Sequence, residues 1–195
     1  MNLQKVADRL GITEERLQGL QETIISESNW PVPGFLRFEK ETSGIEAGTA
    51  IFKNGEVVFG YPKIHRPLML GAAIKRHFSD FVAVEEKMNG HNVRLLSIDG
   101  DIVALTRGGF ICPYSSEVAA RLLPGDIFEK DPRIVLCGEM VGPENPYVPK
   151  DIYPTDTIDF YLFDIARMNQ KGTSGVHKTH EFAREFGLRT ATFLG

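Results

Sequence analysis

FVAVEEKMNGHNVRLLSIDGDIVALT, residues 81–106, carries the pattern on which the fold turns. Phe81 to Lys87 reads as a strand, His91 to Ile98 as a second, and Asp99-Gly100-Asp101 supplies the turn before a third run, Ile102 to Thr106. Short apolar runs joined by compact polar turns predict antiparallel hairpins. The style returns at Ile134 to Met140 and Asp159 to Ile165, with short helices expected at Gly71 to Phe78 and Lys178 to Phe186. Many hairpins with few helices predict an α+β fold and not a doubly wound one.

Upstream, Leu3, Val6 and Leu10, then Leu17, Leu20 and Ile24, recur at helical spacing, broken at Gly11 and restarted after Thr13. Thr13 suits an N-cap, although Arg16 stands where a capping box wants Glu or Gln. The segment has no basic face for DNA, so a packing role is expected. Trp30-Pro31-Val32-Pro33-Gly34 breaks the helical pattern, and strand-like runs follow at 35–39, 48–52 and 56–59, with Asn54-Gly55 signalling a type I′ hairpin. Tyr61-Pro62 and Arg66-Pro67 mark a boundary. The expected organisation is an N-terminal α+β unit, 1–64, and a second domain, 65–195. No internal repeat or low-complexity tract is visible.

Composition narrows the function classes. The 195 residues are 42% hydrophobic and 25% charged, with a net charge of −4, which is globular and lacks a global positive field for nucleic acid. Any polyanionic partner must be bound locally, and only the middle third of the chain has a basic excess. Cys112 and Cys137 lie too far apart for a metal knuckle or redox pair and read as small buried hydrophobes. No secretory signal and no apolar run of the roughly 20 residues that span a bilayer are present, so a cytoplasmic protein without membrane attachment is expected.

Neither Gly-x-x-x-x-Gly-Lys-Ser/Thr nor Gly-x-Gly-x-x-Gly occurs, so any nucleotide must be held another way. In the opening stretch, Lys87 ends a strand and Gly90 follows three residues later, where its lack of a side chain lets the backbone turn sharply and approach a ligand. A lysine so placed can enter a pocket and, on losing its proton, act as a nitrogen nucleophile. An exposed lysine before a turn is the plainer alternative. Three later segments each set a functional side chain beside an apolar run: Leu105-Thr106-Arg107-Gly108-Gly109, Cys137-Gly138-Glu139-Met140 and Tyr161-Leu162-Phe163-Asp164.

In this order and spacing, the four segments resemble motifs I, Ia, III and IIIa of the covalent nucleotidyltransferases, the superfamily of ATP-dependent DNA and RNA ligases and mRNA capping enzymes. Glu-Glu-Lys-x-x-Gly-x-Asn-Val-Arg at 85–94, Thr-Arg-Gly-Gly-Phe-Ile-Cys-Pro-Tyr at 106–114 and Cys-Gly-Glu-Met-Val-Gly-Pro-Glu-Asn-Pro-Tyr at 137–147 most resemble the archaeal-type homodimeric ATP-dependent RNA ligases. DNA ligases favour Lys-x-Asp-Gly-x-Arg at motif I, whereas Asn89 and Asn92 stand here. The resemblance implies an antiparallel-sheet nucleotidyltransferase domain, with Lys87 becoming Lys-AMP. It further implies that Glu85 reads the adenine amino group, Glu139 the ribose hydroxyls, Phe163 stacks on adenine, and Arg107 lies near ribose and phosphate. Asn92 and Arg94 also fall within the motif I nucleotide contacts. ATP with Mg²⁺ or Mn²⁺, RNA 5′-phosphate and 3′-hydroxyl ends, and a homodimer of the complete protein follow as expectations. Alternatives are a DNA ligase, a capping-type enzyme, or a non-catalytic nucleotide- or RNA-binding fragment.

The chemistry is coherent. An amine with a pKa near 10.4 must be neutral to attack phosphorus, which a desolvated cleft with neighbouring cations favours. A carboxylate suits hydroxyl donors, and a flat aromatic suits a purine face. Motifs IV and V are not found, and the chain contains no Glu-Gly dipeptide, so it is expected to be the N-terminal portion of a longer ligase with a domain incomplete at its C-terminus and impaired activity alone. His177 and His180 have helical i, i+3 spacing but no evident third ligand. Asp151, Asp156 and Asp159 read as a solvated loop. Asp164 is left unassigned.

Overall fold

The computed structural model describes residues 1–20, 35–64, 66–79, 81–143 and 157–195, together with the backbone of strand 24–27. The Trp30–Gly34 break, Asp151 and Asp156 lie outside the described residues.

Two N-terminal helices form as expected, but the second stops at Gly19, and Ile24, expected on its face, lies instead in the strand Ile24–Glu27. In α1 (Leu3–Leu10) the Asn2 side chain accepts from Lys5 N, and Gly11 closes the helix in the left-handed region at φ 70°. In α2 (Glu14–Gly19) Thr13 accepts from Arg16 N at 3.2 Å, a cap that needs no glutamate at the third position. Val6, Ala7, Leu10 and Leu17 bury their side chains with Phe38, Ile45, Ile51 and Val57. These residues pack on an antiparallel sheet in sequential order, β1 (Ile24–Glu27), β2 (Phe35–Phe38), β3 (Ala50–Ile51) and β4 (Val57–Val58). The β3–β4 hairpin forms, but not with a type I′ turn. Only Gly55 has positive φ, and its N–H donates to Phe52 O at 2.8 Å, giving a longer loop closed by a left-handed glycine.

Helix α3 (Leu70–His77) appears where expected and buries none of its residues. The stretch 81–87 differs from the expected strand. It is an extended arm, joined to the chain terminus by Val84 N→Gly195 O, Leu194 N→Val84 O and Glu86 N→Thr192 O, with Phe81 92% exposed. Its hydrophobic side finds no second layer among the described residues.

The second sheet has the order β6-β5-β7-β8-β9, built from β5 (His91–Ile98), β6 (Asp101–Thr106), β7 (Ile134–Val141), β8 (Asp159–Arg167) and β9 (Arg189–Thr190). All pairs are antiparallel except β8 with β9. Side-chain alternation gives it two apolar faces. Val93, Leu95, Leu136, Met140, Phe160 and Leu162 face α4 (Pro113–Leu122), α5 (Ile127–Lys130) and α6 (Val176–Phe186) through Val118, Ala119, Ile127 and Ala183. Helices α4 and α5 were not expected. Pro113 reads as a breaker but occupies the first turn, where its missing N–H costs nothing.

The other face, with Leu96, Val103, Leu105, Val135 and Cys137, receives Phe35, Ala50, Phe52 and Val58 of the first sheet. Each such fully buried large side chain contributes about 1.5–3 kcal/mol, so the two sheets share one stabilising layer. The mixed, antiparallel architecture is α+β. Polar ties add direction: Asn169 at the end of β8 accepts from Val57 N through its side chain, donates its backbone N–H to Val57 O, and binds Glu56.

Candidate functional site

The first sheet covers only part of the face it packs on, and the expected site residues gather along the strip left open. Gly90 sets the first cluster. A Cβ there would lie 2.2 Å from Met140 O and 2.9 Å from Glu139 Cγ, so only glycine lets the chain leaving Lys87 close onto β7. Its N–H donates to Glu139 Oε1 at 3.1 Å. Asn92 stands opposite Glu139 in the β5–β7 register and hydrogen-bonds its carboxylate, while Asn92 Oδ1 is buried without a partner. Lys87 is exposed at the mouth, its Nζ donating to Met88 O at 3.4 Å. Burial pushes the Glu139 carboxyl upward, and the Gly90 N–H, Asn92 and the positive charge of Lys87 oppose that shift. A partly buried carboxylate thus sits beside an exposed amine.

A second cluster arises from an irregularity in β8. Cys137 pairs with Asp164 and Gly138 with Leu162, which leaves Phe163 as an extra residue with no partner on β7. Such a bulge breaks the side-chain alternation. Leu162 and Ile165 both enter the helix-covered core, and Phe163 and Asp164 fall together on the opposite, half-buried side. Tyr61, from the first unit, meets both. Its ring lies edge-on to Phe163 at 5.3 Å, and its hydroxyl donates to Asp164 Oδ2 at 3.0 Å. Burial pushes the Asp164 carboxyl upward, opposed by hydrogen bonds from Thr173, Tyr61 and the Ile165 N–H. Burial and Asp164 push the phenol upward in turn, whereas nearby Arg107 lowers it. Arg107 is exposed at the end of β6, in a turn whose Gly109 packs backbone to backbone on Gly48.

Glu85 forms the third part. Its Oε1 lies 2.6 Å from His180 Nε2, and its charge also reaches Asp164. His180 is therefore engaged with Glu85, His177 is exposed, and the described residues contain no group of three or more His, Cys, Asp or Glu that could hold a metal. Asp159 pairs with Arg189 at 2.8 Å.

The structure brings Lys87, Glu139 and Asn92 together, and links Phe163, Arg107 and Glu85 through Tyr61 and Asp164. Arg94 lies apart from these residues. It is 1% exposed, and its guanidinium donates to Phe59 O at 2.5 Å, Gly48 O at 2.8 Å and Thr106 O at 3.0 Å. Strand alternation puts it on the same face as Asn92 but under the first sheet, where its hydrogen bonds tie the two sheets together. Burial lowers it to about 10, so it remains protonated at neutral pH. Tyr61-Pro62 reads in the sequence only as punctuation and His180 only as half of a histidine pair, because neither long-range contact has a sequence signature.

The cysteines also separate. Cys137 is buried and pushed up to about 12, whereas Cys112, half-buried at the α4 N-cap, is lowered to about 7 by its hydrogen bond with His91 and the Ser115 N–H. Cys112 therefore carries more thiolate, the reactive form, at neutral pH than an ordinary cysteine does. Iodoacetamide should label Cys112 at least tenfold faster than Cys137 in the native protein, read by peptide mass spectrometry. His91→Ala should move the Cys112 rate profile to higher pH. Equal rates for the two thiols would contradict this assignment.

The RNA ligase family model matches residues 80–195. An uncharacterized protein of Methanocaldococcus jannaschii is 40% identical over 171 residues, spanning 84% of this chain and 43% of that protein. Among solved structures, an archaeal ATP-dependent RNA ligase is similar in two forms. Form 1 has a TM-score of 0.90 and 36% identity, form 2 a TM-score of 0.89 and 35% identity, and each covers 100% of this chain and 53% of the ligase. A protein of Aquifex aeolicus provisionally assigned as an ATP-dependent DNA ligase has a TM-score of 0.86 and 31% identity, with 94% of this chain and 50% of that one covered. The chain spans about half the length of these relatives.

Proposed function

Because the chain belongs to the RNA ligase family, we propose that it is the adenylylation part of an ATP-dependent RNA ligase, with Lys87 as its nucleophile. The observation that carries this reading is the Lys87–Gly90–Glu139–Asn92 cluster, where an exposed amine faces a carboxylate held by a backbone N–H and an amide. Neutral Lys87 Nζ attacks the α-phosphorus of ATP, a P–N bond forms, the α–β P–O bond breaks and pyrophosphate leaves. An oxygen of an RNA 5′-phosphate then displaces Lys87 from the adenylyl phosphorus, giving an RNA-adenylate. A 3′-hydroxyl attacks the 5′-phosphoryl group, AMP departs and the phosphodiester is sealed. Phe163 would supply an adenine face, Glu85 an acceptor for the adenine amino group, Glu139 an acceptor for ribose hydroxyls, and Arg107 a cation for phosphate.

Mg²⁺ or Mn²⁺ is part of this reading as the cation of the nucleotide, and bound with the triphosphate it would offset charge on the phosphoryl oxygens. The proposal includes RNA ends as partners, a homodimer of the full-length protein, a cytoplasmic setting, and a division into units 1–64 and 65–195. Among the described residues no helix is long and apolar enough to cross a membrane.

The test concerns ribose and polynucleotide together. Adenylylation should be about tenfold or more faster with ATP than with 2′-deoxy-ATP, because the missing hydroxyl removes a charge-assisted hydrogen bond of about 1.5–3 kcal/mol. Glu139→Ala should be slower with ATP and should narrow that ratio. An unchanged ratio in a folded variant removes Glu139 from the ribose. Sealing of RNA ends and not DNA ends by the longest form of the protein that contains this chain separates this reading from a DNA ligase, and ATP binding without covalent transfer by that longest form would establish the non-catalytic alternative.

A further inference from the structure

Resting on the reading of Phe163 as the adenine-facing ring, we infer that Tyr61 is the positioning residue that fixes that ring, making the N-terminal unit a working part of the nucleotide site. Phe163 is the extra residue of the β8 bulge, so it lacks a cross-strand neighbour on β7 that would otherwise limit its side chain. The neighbour it does have comes from the other unit, since the Tyr61 ring meets it at an interplanar angle of 79°. An edge-to-face contact of this kind occupies at most one face of the phenylalanine ring, and the inference assigns the other to the purine.

The tyrosine hydroxyl holds the adjoining residue, Asp164, at 3.0 Å. Asp164 is also bonded by the Ile165 N–H at 3.0 Å. One side chain therefore grips both consecutive residues that the bulge turns to the same side, and so fixes the bulge's conformation as well as the ring's tilt. Tyr61 itself is set by the chain leaving β4: the Gly60 N–H donates to Thr49 Oγ1 at 2.9 Å, and Phe59 O accepts from the buried Arg94. The line from the second sheet through Arg94 and Tyr61 back to Phe163 is continuous. Rigid support of a binding residue from a neighbouring element is what keeps stacking geometry from being lost to side-chain rotation.

The experiment measures ATP dissociation constants by calorimetry for wild type, Tyr61→Phe, Tyr61→Leu, Phe163→Leu and the Tyr61→Leu/Phe163→Leu double variant, with folding checked by circular dichroism. Tyr61→Leu should weaken ATP roughly tenfold. Tyr61→Phe, which keeps the ring edge, should stay within about threefold of wild type. The double variant should bind no more weakly than Phe163→Leu alone, because both substitutions act through one ring. ATP affinity unchanged in Tyr61→Leu, or losses that simply multiply in the double variant, would overturn the inference while leaving the nucleotide reading intact. Should Tyr61→Leu fail to fold, Tyr61→Met, which likewise removes the ring and the hydroxyl, takes its place under the same two outcomes. Absence of ATP binding by wild type would overturn the nucleotide reading and this inference with it.

Discussion

Lys87→Ala should abolish the covalent protein–AMP adduct. Labelled ATP with Mg²⁺ should give an acid-labile, alkali-stable label on the longest form of the protein that contains this chain, and the alanine variant should lower labelling about 10³-fold or more, since no other group can replace the nucleophile. Lys87→Arg is the sharper control. It keeps the positive charge beside Glu139 but presents a guanidinium that stays protonated and cannot attack phosphorus. Arginine should therefore behave like alanine in labelling while retaining ATP binding better than alanine does. The lysine is exposed and makes one hydrogen bond, to Met88 O, so neither change should move the melting temperature by more than a degree or two. Label that persists in Lys87→Ala would place the nucleophile elsewhere.

Arg94→Ala should be the most destabilising single substitution described here, and its effect is on folding, not on nucleotide contacts. Three carbonyls, from Gly48, Phe59 and Thr106, accept from this one guanidinium, and of these Thr106 O also accepts from the Gly109 N–H, so Gly48 O and Phe59 O lose most with it. Removing it leaves buried acceptors unpaired and opens a cavity between the sheets, at a cost on the order of 3 kcal/mol or more. Arg94→Lys should recover only part of this, because a single ammonium on a flexible stem cannot copy a planar fork reaching three oxygens. Urea unfolding would measure both. A loss below about 1 kcal/mol for alanine would show that the tie between the units lies elsewhere, most directly in Asn169 with Val57 and Glu56.

Stability at Glu139 runs against its proposed use. Its folded pKa is raised, so the native state holds that proton more tightly than the unfolded chain, and the carboxylate's contribution becomes less favourable as pH rises from the ordinary glutamate range through the folded value. A chain selected for stability alone would put an amide there. The carboxylate is what a ribose-reading role requires.

Much of this protein is legible in short range. The caps at Asn2, Gly11 and Thr13, the alternation of His91 to Ile98, and the glycine three residues after Lys87 each act through neighbours within a few positions, where side-chain period and backbone freedom are local properties. Those signals sufficed for an α+β fold of antiparallel hairpins, and the ordered motifs 85–94, 106–114 and 137–147 sufficed for the family. Three decisions were left to tertiary structure. Arg94 lies within a motif I sequence yet turns under the first sheet. The β8 bulge, which puts Phe163 and Asp164 on one side, depends on how β7 and β8 pair. Tyr61 and His180 reach Phe163, Asp164 and Glu85 across 95 residues or more of chain. Sequence determines which chemical groups are present and how each local segment folds. Which groups meet is settled only when the packing of two sheets selects one register and one buried face, because that selection is made by the summed burial of side chains far apart in the chain.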